Sequence, residues 1–335
     1  MISGDDRRLF EESLRRATRS RTGAALDRAL ADLDWPDALA DDARVAVSLL
    51  FELQGAANAT SGALDQVLAG ALGQEAAAAV VLPVPGRWHA PGVLRDERLE
   101  VHGVVAGGLR GHATALVVAR AGESHVALAV DPARLTGRAV TGLDPALDLV
   151  EVTAARPGGG GLDPALDLVE VTAAGPGARV LGPVDWRAAV ALGQLALGHE
   201  MVGASRRMLE LACEHAAARV QFGRPIAMFQ AVRHRLADTL VAVEAAAAML
   251  DAAWLDRAPQ TAAMAKATAG RGARVAARHC QQVLAGIGFT TEHPFHRYAR
   301  RILVLEQLLG ATPALTRELG TEIIESGHLP ALLPL

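Results

Sequence analysis

Residues 186–222 run without a proline, carry apolar side chains at helical spacing, and stop at Gly223 and Pro225. The run predicts one bundle helix from Trp186 to about Phe222, on the order of 50 Å long at 1.5 Å rise per residue. Its end has a local cause. Arg224 precedes Pro225, and a residue before proline is pushed out of the helical region, while Pro225 has no amide hydrogen for the preceding turn. A second helix resumes near Phe229 with Val232, Leu236, Leu240, Val241 and Val243 on its apolar side, so the break is a corner between two antiparallel helices. Taken alone, the corner is equally well read as a helix hairpin whose Arg219 and Arg224 face water and favour the negative end of the helix dipole.

Two other textures precede this helix. From Asp5 to about Ala79 the apolar residues again follow helical spacing (Leu9, Phe10, Leu14, Ala17; then Val45, Leu49, Leu50, Leu53), with helix ends or kinks expected at Trp35-Pro36 and Gly55. From about Val80 to Gly182 short Val/Leu-rich runs such as RLEVHG, TALVVARAG and SHVALAV alternate between Gly and Pro, which predicts a small antiparallel sheet or barrel. The reading is α+β and multidomain: an N-terminal helical domain over 1–79, a central β domain over 80–182 and a C-terminal four-helix bundle over 183–335. Within the β region GLDPALDLVEVTAA occurs twice unchanged, at 142–155 and 161–174. A solenoid needs at least three repeats, so this is a tandem duplication. One copy is expected as a strand, with Val150 and Val152 (or Val169 and Val171) on one face, and the other as a loop or an extra edge strand.

Composition removes several classes of function. With 51% apolar residues and a net charge of -4, the chain buries a substantial core and has no basic block for nucleic acid. No apolar run reaches the ~20 residues of a membrane span, and the charged start MISGDDRRLF lacks the apolar core of a secretory signal, which reads as a soluble, cytoplasmic protein. Cys213 and Cys280 are far apart and read as small buried apolar residues, not as a redox or metal pair. His293 and His296 lack partners at metal-ligand spacing and read as polar residues at a helix start. Ser205 and Ser326 lack a nucleophile-elbow context, and Gly107-Gly108 reads as a turn. No metal site is expected.

Two segments carry chemistry. RVQFGRPIAMFQAVRHRLAD, from Arg219, resembles the signature of the acyl-CoA dehydrogenase family, and QVLAGIGFTTEHPFHRYARR, from Gln282 to Arg301, resembles that family's Gln-x-x-Gly-Gly-x-Gly-Phe segment. LLFELQGAANATSGALDQVLAGAL, from Leu49 to Leu72, is similar to the helix pair before the β domain in shorter members. The resemblance implies FAD as cofactor and an acyl-CoA as substrate. It also implies that Arg219, Phe222, Gln230, Gln282 and Gly286 contact the adenosine diphosphate part of a flavin held by a neighbouring subunit. A guanidinium offers paired donors to phosphate oxygens, and glycine lets backbone approach phosphate closely. The first glycine of the pair is Ala285 here, while Gly286 and Gly288 remain.

The family reaction implied is α,β-dehydrogenation: a glutamate removes the α-proton and the β-hydrogen leaves as hydride to the flavin. Counting without a gap from Gln282 places Leu309 at the usual base position, and the alternative position on the long helix is Gly193. Neither bears a carboxylate. Glu306, one turn before Leu309, and Glu200 are the nearest glutamates; both read first as helix-face residues, with Glu306 the better placed as a displaced base. The resemblance also leads one to expect Thr-Glu and Gly-Ser-Asp elements holding flavin at the β-domain entrance, and neither stands where AAAAVVLPVPGRWHAPGVL runs into RLEVHG.

The resemblance therefore implies an oxidoreductase subunit of lipid metabolism. It contributes flavin contacts across an interface to a larger homologous partner that supplies the base, with an electron-transfer acceptor downstream. Two alternatives remain open: a homo-oligomeric dehydrogenase using Glu306, and a non-catalytic structural homologue that binds no flavin.

Overall fold

The computed structural model describes residues 4–74, 78–95, 98–106, 112–139, 150–154, 169–172 and 178–327. Five helices come first: α1 (Gly4–Ser20), α2 (Ala24–Asp32), α3 (Trp35–Asp41), α4 (Ala43–Ala57) and α5 (Ala63–Ala71). Asp42 starts α4 by accepting from Val45 N at 3.1 Å, satisfying one of the free first-turn amides. The helical period placed Leu14, Ala17, Leu50 and Leu53 in the core, whereas Leu9, also on that stripe, is 64% exposed.

Gly55 does not end a helix as the sequence suggested. It lies inside α4, where an added Cβ would overlap the carbonyl oxygen of Glu200. The reciprocal contact brings Gly203 onto the carbonyl oxygen of Glu52. Two glycines facing in opposite directions thus let α4 and the long helix α6 (Trp186–Ala218) approach backbone to backbone.

The middle of the chain supplies short strands β1 (Ala79–Val80) and β2 (Leu82–Pro83), then β3 (Gly92–Arg95), β4 (Arg98–Val105), β5 (Ala115–Ala121), β6 (Ser124–Val130), β7 (Leu135–Ala139), β8 (Val150–Ala154), β9 (Val169–Thr172) and β10 (Ala178–Pro183). They form one sheet in the order β10-β6-β5-β3-β4-β8-β7, with β1 on β5, and β2 and β9 on β4. Most pairs are antiparallel, but β1 and β3 each run parallel to β5, a departure from the all-antiparallel expectation. These parallel pairs arise because the chain enters the sheet twice alongside β5 before turning into β4.

Both copies of the duplicated segment contribute a strand to β4. Val150–Thr153 pairs antiparallel with 102–105, and Val169–Thr172 with 98–101. The loop expected for one copy does not hold over these residues. An eight-residue β4 offers two consecutive berths, and identical VEVT alternation fits either. The rest of both copies, and Gly107-Gly108, lie outside the described residues.

After α6 come β11 (Val220–Gln221), β12 (Arg224–Pro225), α7 (Gln230–Ala253), α8 (Pro259–Leu284), α9 (Phe295–Gln307) and α10 (Thr312–Ser326). Helix α6 is buried nearly all round along its first half, packing on α4 as well as on α7, α8 and α9. A bond network ties these helices: Arg206 pairs with Glu52 and Glu244, and His199 sits between Glu52 Oε1 at 3.0 Å and the Trp254 indole at 3.0 Å. Cys280 is buried, but Cys213 on the outer face of α6 is exposed, contrary to its reading as a core residue. Among the described residues no helix is long and apolar enough to cross a membrane.

Candidate functional site

The corner after α6 is a two-residue hairpin. Val220–Gln221 pairs with Arg224–Pro225 around Phe222 and Gly223, whose φ angles are 52° and 77°. A tight hairpin twisted to match its strands needs positive φ at both central residues. Glycine supplies this freely, whereas an aromatic residue does so at a cost of about 1–2 kcal/mol. Ile226 N bonding to Arg219 O at 2.8 Å closes the corner. Phe222 is 93% exposed, its ring meets Phe229 edge-on at 6.1 Å, and the Arg224 guanidinium stacks 4.4 Å over the Phe229 ring. Arg219 and Gln230 are also exposed beside it.

The second segment ends at the same end of the bundle. Helices α7 and α8 run antiparallel with Thr239 Oγ1 3.2 Å from His279 Nδ1, and Gly272 fits against the Ala242 carbonyl. That register carries Gln230, at the start of α7, toward Gln282 and the turn at Ala285–Phe289. Gln282 and Gly286 are exposed, and a Cβ on Gly286 would meet nothing within 4 Å. Ala285 takes φ 52°, a conformation that glycine adopts more easily.

The predicted base positions lie against each other. A Cβ built on Gly193 would stand 2.5 Å from Leu309 Cδ1 and 3.0 Å from Leu68 Cδ2, so the leucine side chain fills the space over the glycine. Leu309 is fully buried with φ 52°, and its carbonyl accepts from Gln194 Nε2 at 2.9 Å. Glu306 is not free for proton transfer. Its Oε1 accepts from Thr312 N at 2.8 Å at the start of α10 and lies 3.5 Å from Arg274, and its Oε2 accepts from Gln307 at 2.6 Å. Glu200, 2% exposed, pairs with the fully buried Arg301 at 3.0 Å and accepts from Gln54 at 3.1 Å. Both glutamates are held inside the protein by these partners, not set on an open helix face as the sequence first suggested.

Sequence reasoning missed the group that holds this wall together. Lys266 on α8 is fully buried and donates to Gly310 O at 2.6 Å and Glu306 O at 3.0 Å, bracing the turn that contains Leu309. Burial pushes its amine down to about 7, only partly offset by the Glu306 charge. It is the only lysine in a chain with 33 basic residues. A lysine can lose its proton when buried and an arginine cannot, so a lone lysine in an arginine-rich chain, set in the apolar run TAAMAKATAG, was the available signal.

Beside this wall a cavity of about 280 Å³ opens between the sheet domain and α6, α8 and α10. Trp88 and Trp186 form one side, with the Trp186 indole donating to Trp88 O at 2.9 Å, and Gln194 lies toward the Leu309 turn. Glu318 and Glu322 of α10, also unforeseen, bring the cavity's carboxylates, and Glu322 lies 3.7 Å from Arg187. His125 at the sheet side is held below the usual imidazole range, first by burial and then by the nearby Arg120 charge.

A helical domain, a curled sheet and a helix bundle with an exposed Arg/Phe/Gln corner define the acyl-CoA dehydrogenase fold. Residues 186–323 match the model of the acyl-CoA dehydrogenase C-terminal domain. Over 132 residues the chain is 40% identical to acyl-CoA dehydrogenase IpdE2 of Mycobacterium tuberculosis; the match covers 39% of this chain and 42% of that relative, so it spans less than half of the curated relative. The ChsE4-ChsE5 complex from Mycobacterium tuberculosis superposes with a TM-score of 0.68 at 23% identity, covering 97% of this chain and 89% of that one. A Tcur3481-Tcur3483 steroid ACAD variant gives 0.73 at 22% identity, covering 97% and 99%. Residues 186–323 are thus similar to the acyl-CoA dehydrogenase C-terminal domain, and the described residues share the fold of these solved structures; the cofactor that this similarity indicates is FAD.

The residues present fit the dinucleotide end of that cofactor. Arg219 projects from a corner with its guanidinium exposed, Phe222 offers an uncovered aromatic face, and the space over Gly286 is open.

Proposed function

We propose that this chain is a subunit of a flavin-dependent acyl-CoA dehydrogenase. It holds the adenosine diphosphate part of a shared FAD through Arg219, Phe222, Gln230, Gln282 and Gly286, while a larger homologous partner supplies the base. The bound flavin supplies the hydride acceptor for oxidation of an acyl-CoA thioester. Arg219 is suited to a diphosphate because its guanidinium presents a fixed fork of donors. Phe222 and Gln230 offer a flat face and an amide to a purine, and the open backbone at Gly286 admits a phosphate.

The observation that carries the reading is the Leu309–Gly193 contact. Both positions at which the family resemblance puts a carboxylate are occupied by one apolar contact, and the nearby Glu306 is committed to Thr312 and Arg274. A base must reach within hydrogen-bonding distance of the proton that it removes. In this arrangement proton abstraction falls to another polypeptide. The kinship with a two-component complex supports the same reading.

The test is to purify the chain alone and co-expressed with a full-length homologue, then follow the visible flavin band and its bleaching by acyl-CoA. Flavin retention and bleaching only in the pair, with Arg219→Ala lowering retention, is the expected result. Bleaching by the chain alone that disappears in Glu306→Gln would overturn the partner-supplied base. A colourless pair with every homologue would overturn the flavin reading.

A further inference from the structure

A second cavity, of about 550 Å³, opens far along α9 from the Leu309 turn, where the end of α1, the link that follows it and the end of α4 meet the first turns of α9. Four arginines line it: Arg19 and Arg21 from the end of α1 and its link, Arg297 and Arg300 from α9. Among the described residues no carboxylate lines the cavity and none of the four guanidiniums has an ion-pair partner. Four unpaired like charges around one concavity repel each other, and a bound anion removes that cost.

The floor of the cavity is prepared for an anion. The carbonyls at the end of α4 would repel one, but Ala56 O already accepts from the Tyr298 hydroxyl at 3.1 Å and Ala59 O from Arg301 at 2.8 Å. These bonds also fix α9 against α4, so Arg297 and Arg300 are carried by a braced helix. The first turn of α9 adds the positive end of a 13-residue helix dipole. Asn58, which ends α4 with φ 52°, has its Oδ1 buried without a hydrogen-bond partner. An orphaned buried acceptor costs about 1–3 kcal/mol.

We propose that this cavity is a binding site for a small phosphate-bearing molecule, a diphosphate or bisphosphate. The volume lies within the usual range of small-molecule sites. The site is separate from the corner at Arg219, and its occupant regulates or anchors without touching the Leu309 wall.

Titration calorimetry on the full chain, with inorganic pyrophosphate, ADP and adenosine as probes, tests the proposal. Expected are saturable binding of pyrophosphate and ADP that weakens steeply with added salt, and no binding of adenosine alone. Affinity should fall about tenfold or more in Arg297→Ala/Arg300→Ala, a loss of about 1.4 kcal/mol per tenfold, and should persist in Arg219→Ala. That last arm separates this cavity from the flavin corner, since loss in Arg219→Ala alone would assign the phosphate to the corner and overturn the proposal. If the α9 variant fails to fold, Arg19→Ala/Arg21→Ala carries the same expectation. Absence of saturable pyrophosphate binding at low ionic strength, or equal affinity in the wild type and both double variants, also rejects it.

Discussion

Leu309 Cδ1 lies 2.5 Å from where a Cβ on Gly193 would stand, so one leucine closes the space at both positions to which the family resemblance assigns a base. The contact joins the end of α9 to the first half of α6 and is backed by Gln194 on the Leu309 carbonyl. It is a packed wall with its own hydrogen bonds. Gly193→Ala should therefore destabilise the fold by roughly 1–3 kcal/mol through overpacking. The same change in a Leu309→Ala background should cost clearly less, because the partner of the clash is gone. Chemical denaturation of the two single variants and the double reads the coupling; strict additivity would show that the two side chains do not compete for one space.

The crossing of α4 and α6 gives a second expectation. A Cβ at Gly55 meets the Glu200 carbonyl oxygen, a backbone atom that cannot turn away as a flexible side chain would. Gly55→Ala should lower stability by at least about 1–3 kcal/mol, although alanine is the better helix former. A thermal melt no lower than wild type would show that the helices separate without cost.

Arg301 and Glu200 form a buried pair, 0% and 2% exposed, that links α9 to α6. Removing one partner leaves the other charge uncompensated in the interior. Arg301→Ala is expected to cost about 3–5 kcal/mol, measured by urea unfolding, and Arg301→Ala/Glu200→Gln should recover part of it.

Two buried groups make stability depend on pH in opposite directions. Burial raises the Asp65 carboxyl from 3.8 to about 8, with Val80 N lowering it less and Asp27 adding to the rise. Between those values the native state keeps a proton that the unfolded chain has released. Stability from this group is full below about pH 4 and falls as pH rises through 8. Lys266 does the reverse: its folded value near 7 lies below the ordinary 10.5, so the unfolded chain binds the extra proton and stability rises with pH across that window. A neutral amine still has two hydrogens for the Glu306 and Gly310 carbonyls. Urea melts across pH should show Asp65→Asn losing the fall between 4 and 8, and Lys266→Met losing the rise above 7. Unchanged profiles would mean that both groups titrate as in solution.

The parts of this protein visible in the sequence rest on local rules. Proline at 225 keeps the corner out of helix wherever the rest of the chain lies, though α6 already ends at Ala218, four residues short of the expected Phe222, and the switch from helical to alternating apolar spacing marks the sheet. The Arg219 corner and the Gly286 turn are contiguous strings whose residues stay neighbours in any fold. The sequence also shows glycine at 193 and leucine at 309, the two positions to which the family resemblance assigns a carboxylate.

Only the tertiary structure decided what fills those positions and why Gly55 is glycine. The pairs Gly193–Leu309, Gly55–Glu200, Lys266–Gly310 and Arg301–Glu200 join residues far apart in the chain, and no periodicity couples one to the other. Their geometry is set by how closely two helices cross, which follows from the packing of both helices against all their neighbours at once. For the same reason the two copies of VEVT, identical as sequence, found separate places on β4: strand pairing is settled by which edge is vacant, a property of the assembled sheet and not of the segment.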